Sequence, residues 1–116
     1  MKRLLVCGGR DYSDRDRLHE ALDRVLAKHR IAVVMHGGAT GADDLAHHWT
    51  INRGLEPEPY RVDHALDGPW PGAGPRRNAR MLANGKPDCA VAFPGGPGTA
   101  DMVRRLKEAG VAVWVI

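Results

Sequence analysis

Short apolar runs alternate with segments of helical period along this 116-residue chain. Arg3 to Cys7 is an apolar run that ends in Gly8-Gly9, the signature of a buried parallel strand entering a turn. From Asp14 to Arg30 the residues Leu18, Ala21, Leu22, Val25 and Leu26 fall at i, i+3, i+4, i+7 and i+8, which predicts an amphipathic helix with Ser13 as its cap. Ile31 to Met35 is a second strand. Ala42 to Arg53 follows as a helix with Ala42, Leu45, Ala46 and Trp49 inward and Gly54 as its stop, and Glu58 to Val62 is a third strand. Asp63 to Gly74 has no period and is rich in Gly and Pro, which predicts a loop over the functional edge, able to act as a lid. Pro75 to Asn84 reads as a helix closed by Gly85, Asp88 to Phe93 as strand four, Thr99 to Ala109 as a helix stopped by Gly110, and Val111 to Ile116 as strand five. Strands and helices alternating at this spacing predict a three-layer α/β sandwich with right-handed crossovers, a five-stranded parallel sheet and strand order 3-2-1-4-5. Ligands in such sheets bind beyond the carboxyl ends of the strands, at the switch point of the strand order.

Length makes this a single domain over residues 1–116, with no room for a separate catalytic module. No apolar run approaches the roughly 18 residues of a membrane span and the N-terminus lacks a signal-peptide core, so a cytoplasmic protein without a membrane partner is expected. Cys7 and Cys89 lie inside strands, which favours buried free thiols over a disulfide or a zinc site. The net charge of +3 is modest. Its basic residues cluster, with Arg76, Arg77 and Arg80 in one helical turn beside the Gly68–Pro75 stretch, and this suits an anionic small molecule. Nucleic acid ranks second, because the few aromatics do not interleave with basic residues into a stacking platform.

The chemistry concentrates in two strand-to-helix turns, Met35-His36-Gly37-Gly38-Ala39-Thr40-Gly41-Ala42-Asp43 and Phe93-Pro94-Gly95-Gly96-Pro97-Gly98-Thr99-Ala100-Asp101. A helix N-terminus exposes unpaired N–H groups and the positive end of the helix dipole, and glycines let the main chain approach an anion. Gly37, Gly38, Gly41, Gly95, Gly96 and Gly98 are therefore expected to offer N–H groups to phosphate, with Thr99 as a hydroxyl donor and helix cap. Arg77 and Asn78 open a helix, where the dipole disfavours a basic side chain unless an external anion compensates. This singles out Arg77 as the phosphate-binding or catalytic arginine, while Arg76 and Arg80 read as solvated. Asp43 and Asp101 gain about 0.3–1 kcal/mol from the dipole without any function. Beside a phosphate they would face ribose, with Asp101 as the remaining acid/base; Asp44 is rotated away. Arg10 is placed to reach a phosphate and Trp70 to stack on a base, whereas Trp49 and Trp114 read as core. His36, His47, His48 and His64 lack His-x-x-x-His spacing with an acidic partner, so no metal is expected.

Four motifs in order resemble the YspA/YpsA-related branch of the SLOG superfamily, Rossmann-like domains that include the LOG phosphoribohydrolases and the DprA/Smf proteins. They are Val6-Cys7-Gly8-Gly9-Arg10-Asp11-Tyr12, Gly37-Gly38-Ala39-Thr40-Gly41-Ala42-Asp43, Ala73-Gly74-Pro75-Arg76-Arg77-Asn78 and Ala92-Phe93-Pro94-Gly95-Gly96-Pro97-Gly98-Thr99-Ala100-Asp101-Met102-Val103. They add Gly8, Gly9, Thr40 and Pro94 to the expected ligand-binding set. The resemblance implies binding, sensing or processing of a nucleotide or a nucleotide-derived ligand such as a nucleoside monophosphate or an NAD or ADP-ribose derivative. It also implies pairing into a homodimer through helices flanking the site. The LOG enzymes hydrolyse the N-glycosidic bond of nucleoside 5′-monophosphates with an arginine matching Arg77 and a glutamate whose position here is Met102. A carboxylate stabilises the positive charge that develops on ribose, and methionine cannot. Ligand binding is thus the leading expectation. A hydrolase using Arg77 and Asp101, with water as nucleophile and no cofactor, is the alternative, and a DprA-like DNA-binding protein the second alternative.

Overall fold

The computed structural model describes residues 1–116. Five parallel strands, β1 (Lys2–Cys7), β2 (Ile31–His36), β3 (Glu56–Pro59), β4 (Cys89–Ala92) and β5 (Ala112–Val115), form one sheet in the order β3-β2-β1-β4-β5. The expected order is the observed one. Helices α1 (Arg15–Lys28) and α2 (Ala42–Asn52) pack on one face, and α4 (Ala73–Gly85) and α5 (Pro97–Glu108) on the other. The first face buries Leu18, Leu22, Ala46 and Trp49 against Leu4, Val6, Val34 and Val91. The second buries Met81, Met102 and Leu106 against Leu5, Met35, Ala90 and Ala92. Central strand β1 is apolar on both faces for this reason: Leu4, Leu5 and Val6 are fully buried.

The boundaries depart from the periodicity in instructive ways. Asp14, not Ser13, caps α1, its carboxylate accepting the Arg17 N–H at 3.0 Å. β3 begins at Glu56, two residues before the expected strand, because an edge strand tolerates Pro57 and Pro59. Helix α4 begins at Ala73 and runs through Gly85, and Lys86 in the left-handed region (φ 48°) ends it. Gly85 serves packing rather than termination: a Cβ there would overlap the Met35 methyl. Helix α5 begins at Pro97 with Gly96 at its cap position, so Thr99 is not the cap. Trp49 is core as expected, its Nε1–H donating to Asp23 at 3.0 Å. Trp114 is not core; it lies on the edge strand β5 and is 39% exposed.

Candidate functional site

The carboxyl ends of β1, β2 and β4 open into a cleft of about 500 Å³ between the helix N-termini. Three turns form its rim and are hydrogen-bonded to one another. The Gly9 N–H donates to Pro94 O at 2.9 Å, and the Ala42 N–H donates to Gly9 O at 3.1 Å. Gly41, with φ 74°, is pressed so closely onto Gly9 O and Arg10 O that no side chain fits. Thr40 Oγ1 completes the junction by donating to Arg10 O at 3.2 Å.

Of the residues singled out from sequence, Gly8, Gly9, Arg10, Gly37, Asp43, Trp70, Arg77, Asn78, Gly96, Gly98 and Thr99 line this cleft. Gly38, Thr40, Gly41, Pro94 and Gly95 instead build the turns behind the lining. Asp101 is outside the cleft and fully engaged. It accepts from Arg105 Nε at 2.8 Å, Arg104 Nη2 at 2.9 Å and Asn78 Nδ2 at 3.1 Å. Burial alone would raise its carboxyl, but these donors hold it below the ordinary carboxylate range. An acid so held ionised is poorly placed to donate or take protons. Met102 lines the cleft together with Met81, and the two form an apolar wall.

The two glycine turns are not equivalent. Asp43 Oδ2 reaches back to accept the Ala39 N–H at 3.2 Å, so the chain's own carboxylate occupies the turn that precedes α2. Asp43 is 6% exposed, and burial raises its carboxyl to about 6 against the smaller opposing pull of the Ala39 N–H, Arg77, the Gly37 N–H and Arg10. Neither helix has a side-chain cap, but α2 carries Asp43 and Asp44 in its first turn and α5 carries no acid there. The first bond back into the turn is the Ala100 N–H to Gly96 O at 3.1 Å, which leaves the Gly98 and Thr99 N–H groups without a backbone acceptor, and both residues line the cleft. His36 supports the α2 turn from below. Its Nδ1 accepts the Gly38 N–H at 3.0 Å, which leaves Nε2–H to donate to His47 Nδ1 at 2.9 Å. Burial, then His47, lowers His36 to about 4, so the neutral ring is held.

Arg77 enters from α4. Its Nη1 donates to Gly37 O at 2.6 Å and Tyr60 O at 3.2 Å, and its Nε to Asn78 Oδ1 at 3.1 Å, all neutral partners. Burial lowers its pKa while Asp43 opposes that shift. Arg76 and Arg80 are not solvated charges. Arg80 pairs with the buried Asp67 at 2.8 and 2.9 Å, and Arg76 donates to Asp67 O and Pro69 O. Together they pin the segment before α4, which contains the short helix α3 (His64–Asp67). The expected lid is thus a fastened wall. Trp70 stands on it, 54% exposed, with the Arg10 guanidinium 5.9 Å from its ring. Cys7 forms part of the floor, but burial and Asp43 push its thiol up to about 12, so it offers no thiolate. Both cysteines are free and buried.

A family model described as "YspA, cpYpsA-related SLOG family" matches residues 2–66. The Gene 61 protein of Mycobacterium phage D29 is 38% identical, the alignment covering 97% of this chain and 94% of that one. The chain belongs to the YspA, cpYpsA-related SLOG family. The match includes the Gly8-Gly9 and Gly37–Asp43 turns of this SLOG domain. Among solved structures it resembles the crystal structure of TM1055, with TM-score 0.73 and 25% identity over 97% of this chain and 72% of that one. It also resembles Acinetobacter baumannii MurG, with TM-score 0.60 and 10% identity over 99% of this chain and 34% of that one, a likeness of fold. The fold of this SLOG domain is Rossmann-like, and in general terms its family supports a nucleotide-related role.

Proposed function

We propose that the cleft binds a nucleotide or nucleotide-derived ligand, with one phosphate seated on the N-terminus of α5. The observation that carries this reading is the inequality of the two turns: Asp43 fills the α2 turn, while the α5 turn presents N–H groups to the cleft without any acid. Anions bind helix N-termini of this kind through N–H donors and the dipole. Arg77 adds charge from the opposite wall, and its Nη2 makes no hydrogen bond within the chain. Asp43 repels a second phosphate and accepts hydrogen bonds from ribose hydroxyls instead. Trp70 and Arg10 give a planar base an aromatic face and a cation at the mouth. A cleft of about 500 Å³ suits a mononucleotide or one half of an ADP-ribose-like molecule.

Binding without turnover is the reading the geometry favours over hydrolysis, because Asp101 is outside the cleft and Met102 occupies the wall where a LOG glutamate would stand. The test is to incubate the purified chain with AMP, other nucleoside monophosphates, ADP-ribose, cyclic ADP-ribose and NAD, following thermal stability and chromatographic products together. Stabilisation by a phosphate-bearing ligand, absent with the parent nucleoside, is expected. Equal stabilisation by nucleoside and nucleotide would remove the phosphate site, and release of free base would replace a binding protein with a glycosidase.

A further inference from the structure

The two edges of the sheet are chemically opposite. The β3 edge reads Glu56-Pro57-Glu58-Pro59, in which the prolines donate nothing and the carboxylates deter a second strand. The β5 edge reads Ala112-Val113-Trp114-Val115, without a charge or a proline. Val115 is 66% exposed on it. The Ile116 N–H donates to Ala92 O at 2.9 Å, toward β4. Bonding direction alternates along a strand in a parallel pair, so Ala112 and Trp114 also bond toward β4, and Val113 and Val115 direct their N–H and C=O groups outward. The register Val91↔Trp114 puts Ala112 and Trp114 on the α1 side of the sheet, and Val113 and Val115 on the α5 side. A groove of about 210 Å³ lies between α1 and Trp114, and one of about 670 Å³ between α5 and Val115.

We propose that β5 is a self-association edge, pairing antiparallel with β5 of a second copy about a two-fold axis at Val113. The register follows from the outward groups. The two Val113 residues exchange a pair of N–H···O bonds, and each Val115 N–H meets the C=O of the partner's Val111. The Val111 N–H is already committed to Leu106 O at 2.9 Å, whereas its C=O has no acceptor role within the chain. In this register Trp114 lies directly beside the partner's Ala112 on the α1 side, a large side chain against a small one, twice over. A strand without charges meets its own copy with no like-charge penalty. Pairing also closes the assembly. The combined ten-stranded sheet ends on two β3 edges, both protected by proline and glutamate, so growth stops at the dimer. The interface lies away from the cleft, whose lining includes no β5 residue.

Sedimentation velocity over a concentration series of the intact chain tests this, together with amide hydrogen exchange. A species of twice the 12.7 kDa chain mass is expected for the wild type. Val113 and Val115 amides should be protected in it and lose protection on dilution. Val115→Lys places a gatekeeper charge on the exposed edge and should yield a monomer whose melting temperature matches that of dilute wild type. Val113→Pro removes one outward donor and should do the same. A wild type that stays monomeric to its solubility limit overturns the proposal. So does a dimer that persists in Val115→Lys, a dimer whose β5 amides exchange freely, or assembly beyond two copies.

Discussion

Replacing Asp43 with asparagine separates the stability of this fold from its site. Burial raises the carboxyl of Asp43 from 3.8 to about 6. At about 1.36 kcal/mol per unit, the ionised group weakens the folded state by about 3 kcal/mol relative to the protonated one. The sign follows from proton uptake: between the two values the native chain binds the proton and the unfolded chain does not. Stability therefore falls as pH rises through that interval and levels off above about 6. In Asp43→Asn the new side chain carries no charge and keeps an oxygen for the Ala39 N–H, but its amide nitrogen cannot accept the Gly37 N–H, at a cost of about 1 kcal/mol. The variant should be more stable than wild type by about 1–2 kcal/mol at neutral and alkaline pH, and less stable by about 1 kcal/mol once pH falls well below 3.8. Urea denaturation of both chains across this range measures the difference, and groups titrating identically in both cancel. A difference that stays constant with pH would refute the reasoning. If the variant also loses nucleotide binding, the burial of a destabilising acid has its explanation in the ligand.

Arg77→Ala should weaken nucleotide binding about 10–150-fold, the loss of about 1.5–3 kcal/mol from a charge-assisted contact, as read by titration calorimetry. Trp70→Ala should lower affinity for a nucleotide by about 1 kcal/mol or more while leaving affinity for ribose 5-phosphate unchanged, if a base stacks there. Asp67→Asn breaks the pair with Arg80 and should destabilise the fold by about 1–2 kcal/mol in denaturant, with faster proteolysis in the segment between β3 and α4. Arg80 and the Asp63 N–H lower the Asp67 carboxyl from 3.8 to about 2 despite its burial, so this contribution is complete above the first value and disappears as pH falls through the second.

Much of the fold was legible because strand and helix periods differ and β1 is apolar at consecutive positions, which only a doubly covered strand requires. The strand order and the convergence of three turns followed from the alternation of elements and the rule that ligands bind at carboxyl ends. The chemistry inside the turns was less legible. Sequence placed Asp43 and Asp101 in equivalent positions, each in the first turn of a helix after a glycine turn. Asp43 has a glycine turn to fold back over and no arginine within ion-pair distance, whereas Asp101 has Arg104 and Arg105 three and four residues along its own helix. That i, i+3 and i, i+4 spacing is the signal that could have removed Asp101 from the site. Arg76 and Arg80 looked solvated because Asp67, their partner, is distant in spacing and lies in a segment without period. Trp114 looked like core because a parallel strand resembles a buried one until the sheet runs out of neighbours.

The place of β1 at the middle of the sheet has a consequence for synthesis of the chain. Its two flanking strands are made at very different times: β2 follows within one helix, but β4 only near the end, and the Arg3 N–H must wait for Asp88, 85 residues later. A nascent chain can therefore assemble β1, β2 and β3 with α1 and α2 while one side of β1 stays uncovered. The α5 turn emerges after all of these. Ligand cannot template the early half, and the edge of β1 from Leu4 to Cys7 stays without its second partner until the last quarter of the chain supplies Cys89–Ala92.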